Sequence, residues 1–390
     1  MHETELETVV NQLKENPIFR MSLGSKELFH SNFLEFLWDL NPSAFVSMIN
    51  MFLKEHPLEE RTDYKLKREL KNYDICIYHG TDKAPQYDLI IENKVKSIPY
   101  KEQLEGYKQE VSQDCRFLLL TLSESFPDKG NIPAWNTVSY SDLKRGIQEC
   151  FNDCPSRESG YIKDYCTFLG NLVLLKDLIL PRTFETALFE ESVIQSLKEI
   201  RLHDLYIKLR ASWFLMTLKT KLEEKKDFKG KVFVVHKYKE LQGKDSGVFL
   251  NVDMNQGNGQ IAAWIKDVYG NTFEVVIQGN QYRHGIAQCE ETPSAKNRYE
   301  RLNMLYKRIE SSIAPNDFLN FNNRKGVLIE PTNAGRFQKT DIDREGKFRS
   351  YDDSYLYRYR IIGEEDSIDV LMNEMIADIE RVFPNIPEFI

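Results

Sequence analysis

Leu89-Ile90-Ile91-Glu92-Asn93-Lys94-Val95 constrains this chain more than any other stretch of it. The apolar, mostly β-branched residues make a strand suited to burial, and a buried strand tolerates the two charges near its end only at a cost. Side chains alternate faces along a strand, so Glu92 and Lys94 point the same way, as do Asp88 and Ile90. Upstream, Tyr73 to His79 is another strand-like run, and the intervening Gly80-Thr-Asp-Lys-Ala-Pro-Gln86 is rich in turn formers. The two runs therefore read as a hairpin. Folding it about Lys83 sets Asp74 opposite Glu92, with Cβ atoms about 4.5–5.5 Å apart. Carboxylates that close repel unless a cation sits between them, and a hard divalent ion such as Mg²⁺ favours such an oxygen-rich pair. The Lys94 ammonium beside them can orient or help deprotonate a water on that ion, or stabilise charge developing on a phosphate. A helical pattern follows, with Gln103 and Tyr107 at i, i+4 on one face, able to turn back toward the strand end.

As a bare string, an aspartate followed at a distance by Glu-x-Lys occurs by chance in many proteins. The ordinary alternative is an exposed Glu–Lys pair with an unrelated aspartate upstream. The apolar strand, the hairpin and the Gln103/Tyr107 helix together weigh against it.

The rest of the chain sets the frame. Its 390 residues exceed one ordinary core, and 41% hydrophobic, 12% aromatic and 29% charged residues suit a globular protein. Residues 1–180 read as an α/β domain with the order helix, hairpin, strand, helix, strand, strand, helix. Residues 181–229 read as a helical connector. Residues 230–390 read as an α+β domain in which Lys231 to Lys239, Gly247 to Met254, Gln260 to Val268 and Thr272 to Gln278 form an antiparallel meander. Helices over Ala295 to Ile313 and Ser367 to Phe383 flank a last strand, Tyr355 to Ile362. No run approaches the length of a membrane span, and the acidic start Met1-His-Glu-Thr-Glu5 is neither a signal nor a transit peptide, which points to the cytoplasm. The six cysteines have no CxxC spacing, so a structural zinc is not expected and reduced thiols are. A net charge of −8 disfavours a general nucleic-acid coat but leaves room for a local basic groove. No P-loop, GxSxG elbow or HExxH is present.

Asp74-Ile-Cys-Ile77, Ile90-Ile-Glu-Asn-Lys94 and Gln103-Leu-Glu-Gly-Tyr107 resemble the core of the PD-(D/E)XK nuclease superfamily, which includes restriction endonucleases. Glu27-Leu-Phe-His-Ser-Asn-Phe-Leu34, Trp135-Asn-Thr-Val-Ser-Tyr-Ser-Asp-Leu143 and the helix of Asp164-Tyr165 resemble one bacterial branch of it. The resemblance covers about residues 20–180. It implies a central mixed sheet of four or so strands flanked by helices, and phosphodiester hydrolysis with Mg²⁺ (or Mn²⁺). Asp74, Glu92 and Asn93 would be metal ligands, Lys94 the catalytic lysine, and Gln103 and Tyr107 the supporting helix motif. The literal Pro-Asp is absent, since Tyr73 precedes Asp74. The family's first helix often adds an acidic residue, which makes Glu27 a site member; a helix-start charge favoured by the dipole is the other reading. His30 reads as a hydrogen-bonded structural histidine rather than a ligand. Asp88 is an alternative to Asp74, and Glu69 a surface charge.

The substrate implied is nucleic acid, DNA before RNA. Lys65, Lys67, Arg68 and Lys71 form one basic cluster near the hairpin, and Lys94, Lys96 and Lys101 another. Arg336, Lys339, Arg344, Lys347, Arg349, Arg358 and Arg360 are interleaved with aromatics in a pattern suited to base stacking. The aspartates among them favour a solvated face instead. The bacterial branch suggests restriction or phage defence, and the C-terminal half a homo-oligomer or protein partner. The alternative is a nuclease fold that lost activity and acts as a nucleic-acid-binding or protein-interaction module.

Overall fold

A computed structural model describes residues 2–22, 24, 27–53, 55–96, 99–123, 132, 134–153, 156–241, 243–255, 257–266, 271–288, 318, 349–351 and 355–383. The chain forms two compact units, residues 1–182 with 190–213, and residues 183–189 with 214–390.

The first unit opens with α1 (His2–Glu15), α2 (Pro17–Met21), α3 (Glu27–Leu40) and α4 (Pro42–Phe52). Asn41 ends α3 and caps α4, its side chain accepting from the Ala44 N–H with Pro42 in the first turn. Next come β1 (Lys65–Leu70), β2 (Tyr73–Thr81), β3 (Ala84–Lys94), α5 (Lys101–Lys108), β4 (Arg116–Thr121) and β5 (Trp135–Ser139). The helices α6 (Tyr140–Cys150), α7 (Ser156–Ile179) and α8 (Glu191–Lys198) follow, and α9 (His203–Glu223) starts in this unit and ends in the second. The strands make one sheet in sequence order, β1-β2-β3-β4-β5. Pairing is antiparallel from β1 to β3 and parallel from β3 to β5, so the sheet is mixed and flanked by helices, as expected.

β1 is a strand where the sequence shows only a basic cluster. Lys65-Leu-Lys-Arg-Glu-Leu70 lies at the sheet edge, where lysines discourage further pairing and leave no apolar alternation to read. Leu70 pairs with Tyr73 across a two-residue turn in which both Lys71 and Asn72 have positive φ, the geometry that suits a tight hairpin.

The sheet buries both faces. One carries Cys76, Ile90, Leu119 and Trp135 against Leu104 and Tyr107 of α5. The other lies under α3, α6 and α7, where His30, Phe33, Tyr165 and Phe168 stack on one another. Cys76, Cys115, Cys150 and Cys166 form no disulfide; Cys154 and Cys289 lie outside the described residues. Among the described residues no helix is long and apolar enough to cross a membrane.

The second unit holds β6 (Val232–Val234), β7 (Gly247–Asn255), β8 (Asn258–Lys266), β9 (Asn271–Gln278), β10 (Gln281–Gln288), β11 (Arg349–Tyr351) and β12 (Tyr355–Ile361), with α10 (Ile368–Val382). The sheet order is β11-β12-β10-β9-β8-β7-β6. The expected meander is corrected at two points. β6 pairs parallel with β7, because Tyr238–Leu241 turns as a 3₁₀ helix and brings the chain back before β7 starts. β10 is unexpected because Gln281-Tyr-Arg-His-Gly285 looks polar; it pairs with β9 on one side and β12 on the other. The helix expected at Ala295 to Ile313 lies outside the described residues. α10 accounts for the one expected at Ser367 to Phe383.

Candidate active site

Three pairs fix the register at the working end of the hairpin: Ile75 with Ile91, Cys76 with Ile90 and Ile77 with Leu89. This is the register that folding about Lys83 predicts. A bulge between Ile77 and Tyr78 then shifts the pairing by one residue, so the turn is made at Asp82-Lys83 and Thr81 pairs with Ala84.

Pairing stops beyond Ile75 and Ile91, and the gap is filled by a side chain. The Asn93 N–H donates to Asp74 Oδ2 at 2.7 Å. In a strand the N–H and C=O of one residue face the same neighbour, so the Asn93 carbonyl faces the Asp74 side too. Glu92 and Lys94 share a face, and the Lys94 ammonium lies 2.6 Å from Glu92 Oε1. Gln103 Nε2 donates to the same Oε1 at 2.9 Å and to the Tyr107 hydroxyl at 2.8 Å. Tyr107 in turn donates to the Asn72 carbonyl at 3.1 Å, which ties α5 to the turn ahead of Asp74. Glu92 is 2% exposed, yet its second oxygen, Oε2, has no hydrogen-bond partner among the described residues.

The electrostatics follow from this crowding. Burial first, then repulsion from Glu92, push the Asp74 carboxyl up to about 7, against the pull of the Asn93 N–H and Lys94. Burial likewise raises Glu92, although Lys94 opposes it. Burial disfavours the charge on Lys94, but Glu92, Glu27 and Asp74 together hold its ammonium above the usual lysine value. Burial and the Glu92 charge raise the Tyr107 phenol to about 12, so it remains a neutral donor.

Glu27 opens α3 and grips the end of β3. Its Oε1 accepts from the N–H groups of Val95 at 3.0 Å and Lys96 at 3.2 Å. Its main-chain carbonyl accepts from Asn93 Nδ2 at 3.0 Å. The Asn93 side chain points away from Glu92 into the opposite face, where Oδ1 accepts a hydrogen bond from the Tyr140 hydroxyl. Asn93 thus reaches the Asp74 side through its backbone alone. Tyr140, fully buried at the start of α6, is a site neighbour that sequence reasoning misses. Its signals are an aromatic residue at a strand–helix junction and a place in the Trp135 to Leu143 run, but Asn93 is far from it in sequence.

His30 is fully buried, its Nδ1 2.9 Å from the Tyr165 hydroxyl. Burial drops its pKa to about 3, so it is a neutral core residue. Asp88 lies toward the other end of the hairpin, 2.6 Å from His79. Glu69 is exposed. The basic clusters are largely paired: Lys67 with Asp82, Arg68 with Glu35, Lys96 with Asp204. In the C-terminal series, Arg336, Lys339, Arg344 and Lys347 lie outside the described residues, and Arg360 is held by Asp366 and Glu374. The His284 ring and the Tyr282 hydroxyl both meet Asp378 Oδ2 of α10 at 2.7 Å.

Among the described residues no group of three or more His, Cys, Asp or Glu side chains is placed to hold a metal ion. The donor set is two carboxylates with a neighbouring main-chain carbonyl. That suits Mg²⁺, which is held by one or two carboxylates and keeps several waters. The partnerless Oε2 of Glu92 fits a cation in the same place.

A family model of the PD-(D/E)XK nuclease superfamily matches residues 18–167, which contain all of these site residues. No curated protein and no solved structure matches the chain.

Proposed function

Because residues 18–167 match a family model of the PD-(D/E)XK nuclease superfamily, we propose that the chain is a metal-dependent nuclease that hydrolyses phosphodiester bonds of DNA. The observation that carries this reading is the buried, partnerless Glu92 Oε2 beside a second carboxyl of raised pKa and an ammonium. Asp74, Glu92 and the Asn93 carbonyl would hold Mg²⁺ (or Mn²⁺). Such an ion, when bound, supplies a water acidic enough to attack at neutral pH and positive charge for the phosphate oxygens.

The chain's own residues do the rest. Gln103 and Lys94 both engage Glu92 Oε1, which leaves Oε2 facing the site. Lys94 stays protonated, and its ammonium stabilises the charge that builds on the phosphate as the water oxygen bonds to phosphorus. The P–O bond to one sugar then breaks, leaving a phosphomonoester and a hydroxyl. Tyr107 fixes Gln103 and the Asn72 turn, so that Asp74 and Glu92 are held from both strands of the hairpin. Restriction or phage defence is the role we assign, in the cytoplasm of a bacterium, by analogy with the branch the sequence resembles.

The test is a panel of single- and double-stranded DNA and RNA, each with Mg²⁺, Mn²⁺ or chelator. DNA is cut with metal and not with chelator, and Asp74→Asn lowers the rate by about 10²-fold or more. Cleavage that continues in chelator, or no cleavage of any substrate, overturns the reading.

A pH dependence follows from Asp74. Its folded carboxyl titrates above its unfolded value, so the folded state binds the extra proton. The stability this contributes is complete below the unfolded pKa and is lost as pH rises through about 7. A divalent ion competes with that proton, so the rise in Tm on adding Mg²⁺ grows between about pH 5.5 and pH 8. Thermal melts with Mg²⁺ and with chelator measure it, and Asp74→Asn flattens the trend. An increment that does not change with pH contradicts the assignment.

A further inference from the structure

Helix α8 ends in a way that sets Arg201 apart. The Leu202 N–H donates to the Leu197 carbonyl at 2.9 Å and the Arg201 N–H to the Lys198 carbonyl at 3.1 Å. This is the paired helix stop whose left-handed residue is usually glycine. Here that residue is Arg201, at φ +58°. A side chain in this conformation is strained where glycine would not be.

The turn is locked to the rim of the candidate active site. The Arg201 carbonyl accepts from the Lys96 ammonium at 2.7 Å, and the Lys96 N–H is bound to Glu27. Gly24, at φ +85°, packs so closely that a Cβ there would lie 2.9 Å from Arg201 Cβ. Any other residue at 24 would press against Arg201 and force one of the two to shift. The backbone of Arg201 thus fills a structural role that glycine would fill without strain, while its side chain is exposed. No ion pair or hydrogen bond to its guanidinium occurs among the described residues, although Lys96 beside it is paired with Asp204.

We propose that Arg201 is a substrate-binding residue whose guanidinium contacts a phosphate of the nucleic-acid backbone next to the scissile one. This rests on the nuclease reading and adds a binding residue to it. A guanidinium suits such a contact because it is always charged, weakly hydrated and bonds two phosphate oxygens at once. A cation at a position that favours glycine is explained if its side chain serves a ligand rather than the fold.

The test uses the full chain and fluorescein-labelled DNA, duplex and single strand, with binding read by anisotropy in chelator over a range of salt. Arg201→Gly melts about 2–4 °C above the parent protein. The same variant binds DNA about tenfold more weakly, with a slope of log affinity against log salt shallower by about one. Arg201→Lys keeps the slope. Unchanged affinity and slope in Arg201→Gly overturn the contact and leave the nuclease reading standing. A lower melting point for Arg201→Gly also overturns it, because the side chain then serves the fold. No binding of either probe by the parent protein overturns the contact, while cleavage with metal still decides the nuclease reading.

Discussion

Glu92→Gln lowers metal-dependent cleavage by about 10³-fold or more while the chain stays folded. The substitution keeps the shape of the side chain and its bond from Gln103 to one oxygen. It removes the charge that faces Asp74 and puts an N–H₂ where the partnerless Oε2 lies. Two effects on stability oppose each other. Lys94 loses its closest counter-ion, but the repulsion between two buried carboxyls is relieved as well. The melting point in chelator therefore stays close to that of the parent, whereas the rise produced by Mg²⁺ disappears. Rates under saturating Mg²⁺, beside melts with and without it, give both numbers. Cleavage within tenfold of the parent rate would remove Glu92 from the site.

Asn93→Ala has the largest expected effect on folding. The amide sits between two partners that stay buried when it is gone: the Tyr140 hydroxyl and the Glu27 carbonyl. Each unsatisfied group costs about 1–3 kcal/mol, so the loss is about 3 kcal/mol or more. For a unit of this size that lowers Tm by about 6–12 °C. Tyr140→Phe leaves only the Asn93 oxygen unpaired and costs less, about 1–2 kcal/mol. The double variant loses less than the two single losses added, because both remove the same hydrogen bond. Denaturant unfolding of the three variants decides it. A melting point for Asn93→Ala within about 2 °C of the parent, on the same scale, would mean that the amide clamps nothing.

Some of the site was legible because it depends on local periodicity. An apolar strand that closes on Glu92 and Lys94 fixes which of its side chains share a face, and the turn-rich segment around Lys83 fixes which residue of the preceding strand lies opposite. The structure keeps that register at Ile75–Ile91 and absorbs the odd residue in a bulge away from the chemistry. Gln103 and Tyr107 were legible for the same reason, since one helical turn puts them on one face. β1 was not, because an edge strand covered in lysine and arginine has no apolar alternation to show. The parallel pairing of β6 was hidden because the direction of a strand is decided by the path of its connection rather than by its own residues.

Local repeats are enough for the mixed α/β class and for the face on which Glu92, Lys94 and their helix meet, since a strand or a helix repeats within a few residues. What each polar group does there comes instead from the packing of distant segments. Asn93 stands between Glu92 and Lys94, yet its side chain bonds Tyr140 and Glu27 behind the sheet while its N–H holds Asp74. Glu27 grips the main chain of Val95 and Lys96, and Arg201 comes to the rim because Gly24 and Lys96 draw a distant turn against it. Hydrogen-bond partners of buried groups are chosen by which segments pack together, and those segments lie far apart along the chain.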